Sequence, residues 1–138
     1  MHEPLIPNPK ILLVEDDSFL VGMYVTKLEM EHFVVFVTMD ADHGLEVAKR
    51  EHPDLILLDV LLPGGMNGFG MLEELKADAD MRDIPVIMLT NLGQEKDERR
   101  GRALGAADYL IKAHFLPSEV MECIVKTIKD ARARRAIA

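Results

Sequence analysis

Five short apolar runs alternate with five amphipathic stretches along this chain, and that alternation limits the fold more than any other feature. The runs occupy residues 11–14, 33–37, 55–58, 86–89 and, behind Asp108 at the head of the expected fifth strand 108–111, 109–111. All are of strand length, and 33–37 is rich in β-branched and aromatic residues, which favour a strand. They are continuously apolar rather than alternating, as a sheet covered on both faces requires. Between them apolar residues recur at helical spacing. Phe19, Leu20, Met23, Tyr24 and Leu28 do so within 18–31, and Ala41, Leu45 and Ala48 within 41–49. Phe69, Leu72 and Leu75 follow within 69–77, and Val120, Ile124, Val125 and Ile128 within 117–135. The stretch 95–104 predicts a polar helix ended by Gly105. Asp17 or Ser18 is a natural cap for the first helix. Pro85 stands where the fourth strand begins and a missing donor is tolerated.

Strands alternating with helices, joined by right-handed crossovers, give an α/β fold. It is a doubly wound five-stranded parallel sheet in three layers, α/β/α. The expected strand order is 2-1-3-4-5, which puts helices on both faces and a switch point between strands 1 and 3. Ligands bind such sheets beyond the carboxyl ends of the strands at that point. A chain of 138 residues fits one domain. The reading is an extension at 1–9, the domain at 10–130 and a basic tail at 131–138, with no residues left for an output domain. No apolar run approaches the roughly 18 residues of a membrane span, and the first nine residues lack the pattern of a signal peptide. The single cysteine, Cys123, cannot form an internal disulfide, which fits a cytoplasmic location. A net charge of −8 opposes direct binding to nucleic-acid backbone.

The strand ends gather the chemistry. Strand 1 delivers Glu15, Asp16 and Asp17, strand 3 Asp59, strand 4 Thr90 and strand 5 Lys112. Asp16, Asp17 and Asp59 crowded together raise one another's pKa, and a hard divalent cation with oxygen ligands, Mg2+, removes the conflict. A carboxylate beside such an ion, flanked by a hydroxyl and an ammonium, is equipped to accept a phosphoryl group. Asp59 is then the nucleophile and forms an aspartyl-phosphate.

These residues give the chain its likeness to a known family. Ile11-Leu12-Leu13-Val14-Glu15-Asp16-Asp17, Pro53 through Asp59, Leu62-Pro63 followed by Gly68, Ile84 through Thr90, and Gly105 through Lys112 stand in order on the expected strand ends. Together they resemble the receiver domains of two-component response regulators, over about residues 10–128. The resemblance implies a flavodoxin-like fold, close to a stand-alone chemotaxis receiver. It implies Mg2+ held by Asp16, Asp17, Asp59 and the backbone carbonyl of Leu61, with Asp59 phosphorylated by a sensor histidine kinase or a histidine phosphotransfer protein. Thr90 and Lys112 would bind the phosphoryl oxygens, and Tyr109 matches the family's switch aromatic, which turns inward as Thr90 moves. The face of the fourth helix, fifth strand and fifth helix would then dimerise or bind a downstream protein.

Several positions depart from the family. The segment from Asp59 to Gly68 is one residue longer than usual. Ala113 stands where a proline after a cis bond is usual, which implies a different loop path beyond Lys112. Asn91 replaces a small residue. Leu61 and Leu92 are bulky neighbours of Asp59 and Thr90, expected to hinder water and prolong the phosphorylated state. Gly101 interrupts the fourth helix at a cost of roughly 1 kcal/mol relative to alanine. A degenerate receiver that binds partners without phosphorylation is therefore the alternative. A phosphatase using an aspartyl-phosphate would carry a second Asp two residues after the nucleophile, but Leu61 is there, so no turnover of an external substrate is expected. A flavin-binding loop after strand 1 would be rich in Ser, Thr and Gly rather than acids. The Gly64-Gly65-Met66-Asn67-Gly68 turn lacks the Gly-Lys-Ser/Thr ending of a phosphate-binding loop. The histidines show no ligand spacing, and Cys123 reads as packing. Lys126, Lys129, Arg132, Arg134 and Arg135 suit the negative end of a helix dipole, with an acidic partner as the other reading.

Overall fold

Each apolar run forms a strand, and each periodic stretch forms a helix. In chain order they are β1 (Lys10–Val14), α1 (Ser18–Met30), β2 (Val34–Thr38), α2 (Ala41–Glu51) and β3 (Leu55–Leu58). Then come α3 (Gly68–Ala77), β4 (Val86–Thr90), α4 (Glu95–Ala103), β5 (Asp108–Ile111) and α5 (Pro117–Ile137), with a 3-10 turn at Lys112–His114. The computed structural model describes residues 8–137, so most of the expected N-terminal extension lies outside the described residues.

The strands form one parallel sheet in the order β2-β1-β3-β4-β5, the order expected from the switch-point argument. Alternate residues of the central strands feed two cores. Leu12, Val14, Ile56 and Leu58 pack with Phe69, Leu72 and Leu75 of α3 on one face. Ile11, Leu13, Leu55 and Leu57 pack with Tyr24 and Leu28 of α1 and with Val120, Ile124 and Ile128 of α5 on the other. Side chains pointing to opposite faces of a strand, both buried, account for the unbroken apolar runs of β1, β3 and β4, whereas β2 at the sheet's edge exposes Val34 and Val37.

Two differences from the sequence reading have physical causes. β2 starts one residue late, because the Phe33 N–H closes the α1 turn on the Leu28 carbonyl and Val34 makes the first bond, to Pro9 O. Phe19, expected on the buried stripe of α1, is 78% exposed. It lies five residues before Tyr24, about 140° round the helix at roughly 100° per residue, so the seam runs through Tyr24 and Leu28. α5 runs to Ile137, two residues beyond the helical stretch expected to end at 135, with Ala131 buried.

Gly101 of α4 is buried, and a Cβ there would lie 2.7 Å from Cδ2 and 3.0 Å from Cε2 of Tyr109. The loss of helix propensity noted in the sequence is what lets the Tyr109 ring lie against α4. The neighbouring Asp108 ties three elements together. It accepts from Arg102 of α4 at 3.0 Å, from Cys123 Sγ of α5 at 3.1 Å and from its neighbour's N–H at 2.8 Å. Burial and this carboxylate push the Cys123 thiol up to about 11. A higher pKa means less thiolate at neutral pH, about 0.1% at pH 8 against roughly a quarter for an ordinary thiol. Alkylation of Cys123 by iodoacetamide is therefore expected to be slow at pH 8 and to accelerate up to about pH 11. Ordinary thiol kinetics in that assay would remove the Asp108 contact from the account.

Candidate functional site

The carboxyl ends of β1, β3, β4 and β5 converge, and each strand delivers its polar residue there. Asp59 follows β3 and is 5% exposed. Its Oδ1 accepts the Leu61 N–H at 3.1 Å, and its Oδ2 accepts from Lys112 Nζ at 2.9 Å. The same ammonium lies 2.6 Å from Glu15 Oε1. Lys112 reaches the centre of the site although Ala113 follows it, from the first residue of the 3-10 turn. Burial alone would lower the lysine's pKa, but its hydrogen bonds to Glu15 and Asp59 outweigh that and hold it above the usual value.

Glu15 is the residue the sequence reading underused. Its N–H donates to Thr38 O at 3.0 Å, extending the β1 ladder by one position and carrying the side chain inward. There burial raises the carboxyl's pKa above its ordinary value, opposed by the Lys112 hydrogen bond and by the Asp17 N–H, which donates to Oε2 at 3.1 Å. The repulsion from Asp59 is a lesser cause, so desolvation, not crowding of like charges, governs this carboxylate.

Asp17, expected among the metal ligands, is placed elsewhere. Its Oδ1 accepts the Phe19 and Leu20 N–H groups at 3.0 and 3.2 Å, capping α1. The acidic oxygens that lie within 4.8 Å of one another belong to Glu15, Asp16 and Asp59. Three hard oxygen donors, with Asp16 exposed and the other two buried, suit a small divalent cation that keeps several waters. Glu15 thus replaces Asp17 in the trio. The Leu61 backbone is held over Asp59 through its N–H.

Thr90 ends β4 with its side chain fully buried, and its hydroxyl accepts the Leu92 N–H at 3.2 Å. Tyr109 lies inward, and its hydroxyl donates to the Leu92 carbonyl at 2.6 Å. Burial, with Asp97 and Glu98 nearby, pushes the phenol up to about 12. The two backbone groups of Leu92 therefore connect Thr90 to Tyr109, a link that no spacing in the sequence displays. Gly68 closes the site from the side. Its N–H donates to Val60 O at 2.8 Å, and a Cβ would collide with the Asp59 carbonyl oxygen.

A parallel sheet in this order with an acidic trio and a lysine at its carboxyl edge defines a receiver. The family model for the response regulator receiver domain matches residues 11–125, and the chain belongs to that family, the receivers of two-component response regulators. It is 41% identical over 112 residues to the phosphate regulon transcriptional regulatory protein PhoB of Escherichia coli, covering 81% of this chain and 48% of that one. It is 41% identical over 130 residues to the transcriptional activator PfeR of Pseudomonas aeruginosa, covering 94% of this chain and 39% of the relative. The chain thus spans less than half the length of these relatives. Among solved structures it resembles a CheY-like receiver from Methanospirillum hungatei, with a TM-score of 0.85 and 25% identity over 92% of this chain and 98% of that one. It also resembles the BeF3-activated receiver domain of Klebsiella pneumoniae RstA, with a TM-score of 0.77 and 29% identity over 86% of this chain and 97% of that one. No helix among the described residues is long and apolar enough to cross a membrane.

Proposed function

We propose that Asp59 accepts a phosphoryl group from the phosphohistidine of a sensor histidine kinase or histidine phosphotransfer protein in the cytoplasm. The observation that carries this reading is the buried Asp59 carboxylate held by Lys112 beside the Glu15 and Asp16 oxygens. A carboxylate oxygen of Asp59 attacks phosphorus, a P–O bond forms and the P–N bond breaks. The departing electron pair stays on the imidazole nitrogen, which takes up a proton. Lys112 neutralises charge on the transferring oxygens, and the Leu61 N–H fixes the nucleophile's orientation. Mg2+ held by Glu15, Asp16 and Asp59 would supply further charge neutralisation when bound. Phe19, Leu61 and Leu116 expose apolar side chains on the segments at this edge, which suits a protein donor. The domain modifies its own residue and turns over no external substrate.

The switch follows from the Leu92 link. A phosphoryl oxygen that draws in the Thr90 hydroxyl takes that acceptor from the Leu92 N–H, and the loop after β4 then shifts at the carbonyl that Tyr109 holds. A local charge thereby reaches the face of α4, β5 and α5, where a downstream protein or a second copy would bind.

Incubation with acetyl phosphate and Mg2+, with the adduct mapped by mass spectrometry, tests the reading. The expected result is label on Asp59, dependent on the metal and lost in Asp59→Asn. Absence of any metal-dependent label, with partner binding retained, would favour the phosphorylation-independent receiver. Leu61 stands beside the nucleophile, 54% exposed, where it hinders an attacking water. Leu61→Asn is expected to shorten the phosphoryl half-life several-fold, and an unchanged decay rate would refute the hindrance.

A further inference from the structure

Positive charge outnumbers acid at the edge of the sheet opposite Asp59, where Asp83 is the one carboxylate in the lining and Arg135 also borders a neighbouring pocket with Asp54 and Asp80. A cavity of about 450 Å3 is lined there by Lys76 of α3, Arg82 and Asp83 of the loop before β4, Gly105 and Ala107 of the turn before β5, and Arg134 and Arg135 of α5. Four cations face one carboxylate in a chain whose net charge is −8.

The other arginines are engaged. Arg50 pairs with Glu51, Arg99 with Glu95, and Arg102 with Glu98 and Asp108. Arg100 stacks 4.6 Å over Phe69, and Arg132 has contacts of its own. The remaining three, Arg82, Arg134 and Arg135, all line the cavity, and among the described residues none of them forms an ion pair. Arg135 Nε makes only a 3.5 Å contact with Ala131 O of its own helix. Lys76 Nζ donates to the carbonyls of Arg82 and Ile84 at 3.0 and 3.3 Å, which leaves one N–H free to donate. Burial holds this lysine below its usual pKa, so an anion beside it would relieve a real desolvation cost. Helix dipoles account for cations at the ends of α3 and α5. They do not account for Arg82, which lies in a loop, nor for two helix ends converging on one cavity.

We propose that this cavity binds a small anion carrying two or more phosphoryl groups. Guanidinium forks match phosphoryl oxygens in pairs, and an ammonium adds a point charge. The excess of cations suits a multiply charged ligand, and the volume lies within the range of small-ligand pockets, roughly 300–1,000 Å3. No aromatic side chain lines the cavity to stack a base, so the phosphoryl groups rather than a nucleobase are recognised.

Titration of the full chain with tripolyphosphate, ATP and adenosine at about 150 mM salt, followed by amide NMR, tests the site. Saturable binding of tripolyphosphate and ATP with similar affinity is expected, with shifts at Gly105, Ala107 and Ala131, and no binding of adenosine. Comparable ATP and tripolyphosphate affinities would assign recognition to the phosphoryl chain, whether free or on a nucleotide. Arg82→Ala, and separately Arg134→Ala with Arg135→Ala, remove exposed side chains without ion pairs and are expected to weaken binding at least about tenfold. Labelling of Asp59 by acetyl phosphate is expected to stay unchanged in both variants, which separates this site from the phosphoacceptor. Non-saturable binding, shifts confined to the surroundings of Asp59, unchanged affinity in both variants, or equal binding of a polyglutamate peptide would each overturn the assignment.

Discussion

Lys112→Ala is expected to destabilise the metal-free domain by about 3–5 kcal/mol, because it leaves two buried carboxylates beside each other without their cation. Lys112 Nζ stands 2.6 Å from Glu15 and 2.9 Å from Asp59, and both acids are almost fully buried. With the ammonium gone, its opposing hydrogen bond is lost, and burial holds the Glu15 carboxyl's folded pKa still further above its unfolded one. A group raised in the folded state binds its proton more tightly there, so its favourable contribution is present below the unfolded pKa and is lost as pH rises through the folded one. The variant's deficit is therefore smallest near pH 4, around the unfolded values, and grows toward neutrality. Glu15 in the parent chain is already raised, chiefly by burial, so the pH window opens from that side. Mg2+ supplies a replacement cation and is expected to stabilise the variant more than the parent. Urea denaturation across pH, with and without Mg2+, measures all three effects. A deficit independent of pH and indifferent to Mg2+ would mean that the acids do not form one charged unit. The same variant is expected to lose at least about tenfold in phosphorylation rate, since a charge aimed at the transferring oxygens is removed.

Most of the fold was legible because it rests on periodicity. A strand buried on both faces must be continuously apolar, and Leu55–Leu58, fully buried along its length, reads as such without any structure. Strand order followed from where helices must lie and from the switch point. Site residues at strand ends were legible for the same reason: Asp59, Thr90 and Lys112 each stop or follow an apolar run. The choice between Asp17 and Glu15 was harder. The same reading gave Asp17 both the helix cap and a metal-ligand role, and its capping oxygen already takes two N–H groups. The signal lay in that conflict, since a cap fixes where the helix begins and leaves the acid at the strand's end to point inward. The Leu92 link between Thr90 and Tyr109 could not be read, because it runs through backbone atoms whose directions a sequence does not encode. Gly101 was visible as a flaw in a helix, and only the packed ring of Tyr109 gives it a purpose.

Gly68→Ala is expected to lower stability by about 3 kcal/mol or more and to disturb Asp59 with it. The added methyl would run into the Asp59 carbonyl oxygen and lie 2.7 Å from Val60 Cα and 2.9 Å from the Asp59 carbonyl carbon. These are backbone atoms at the end of β3, where no rotamer change can make room. Relief requires the start of α3 to move away, breaking the 2.8 Å bond from the Gly68 N–H to Val60 O. The other core contacts of α3, through Phe69, Leu72 and Leu75, resist that movement. The strain therefore falls on the segment from Asp59 to Leu61, which carries the phosphoacceptor and the N–H that orients it. Gly65→Ala in the same turn is the matched control, since nothing lies within 4 Å of a Cβ there. It is expected to stay within about 0.5 kcal/mol of the parent. Urea denaturation of the two variants, together with their rates of labelling by acetyl phosphate, separates a close-approach glycine from one that merely lengthens a turn. Equal stabilities would show that the loop, rather than the strand, gives way.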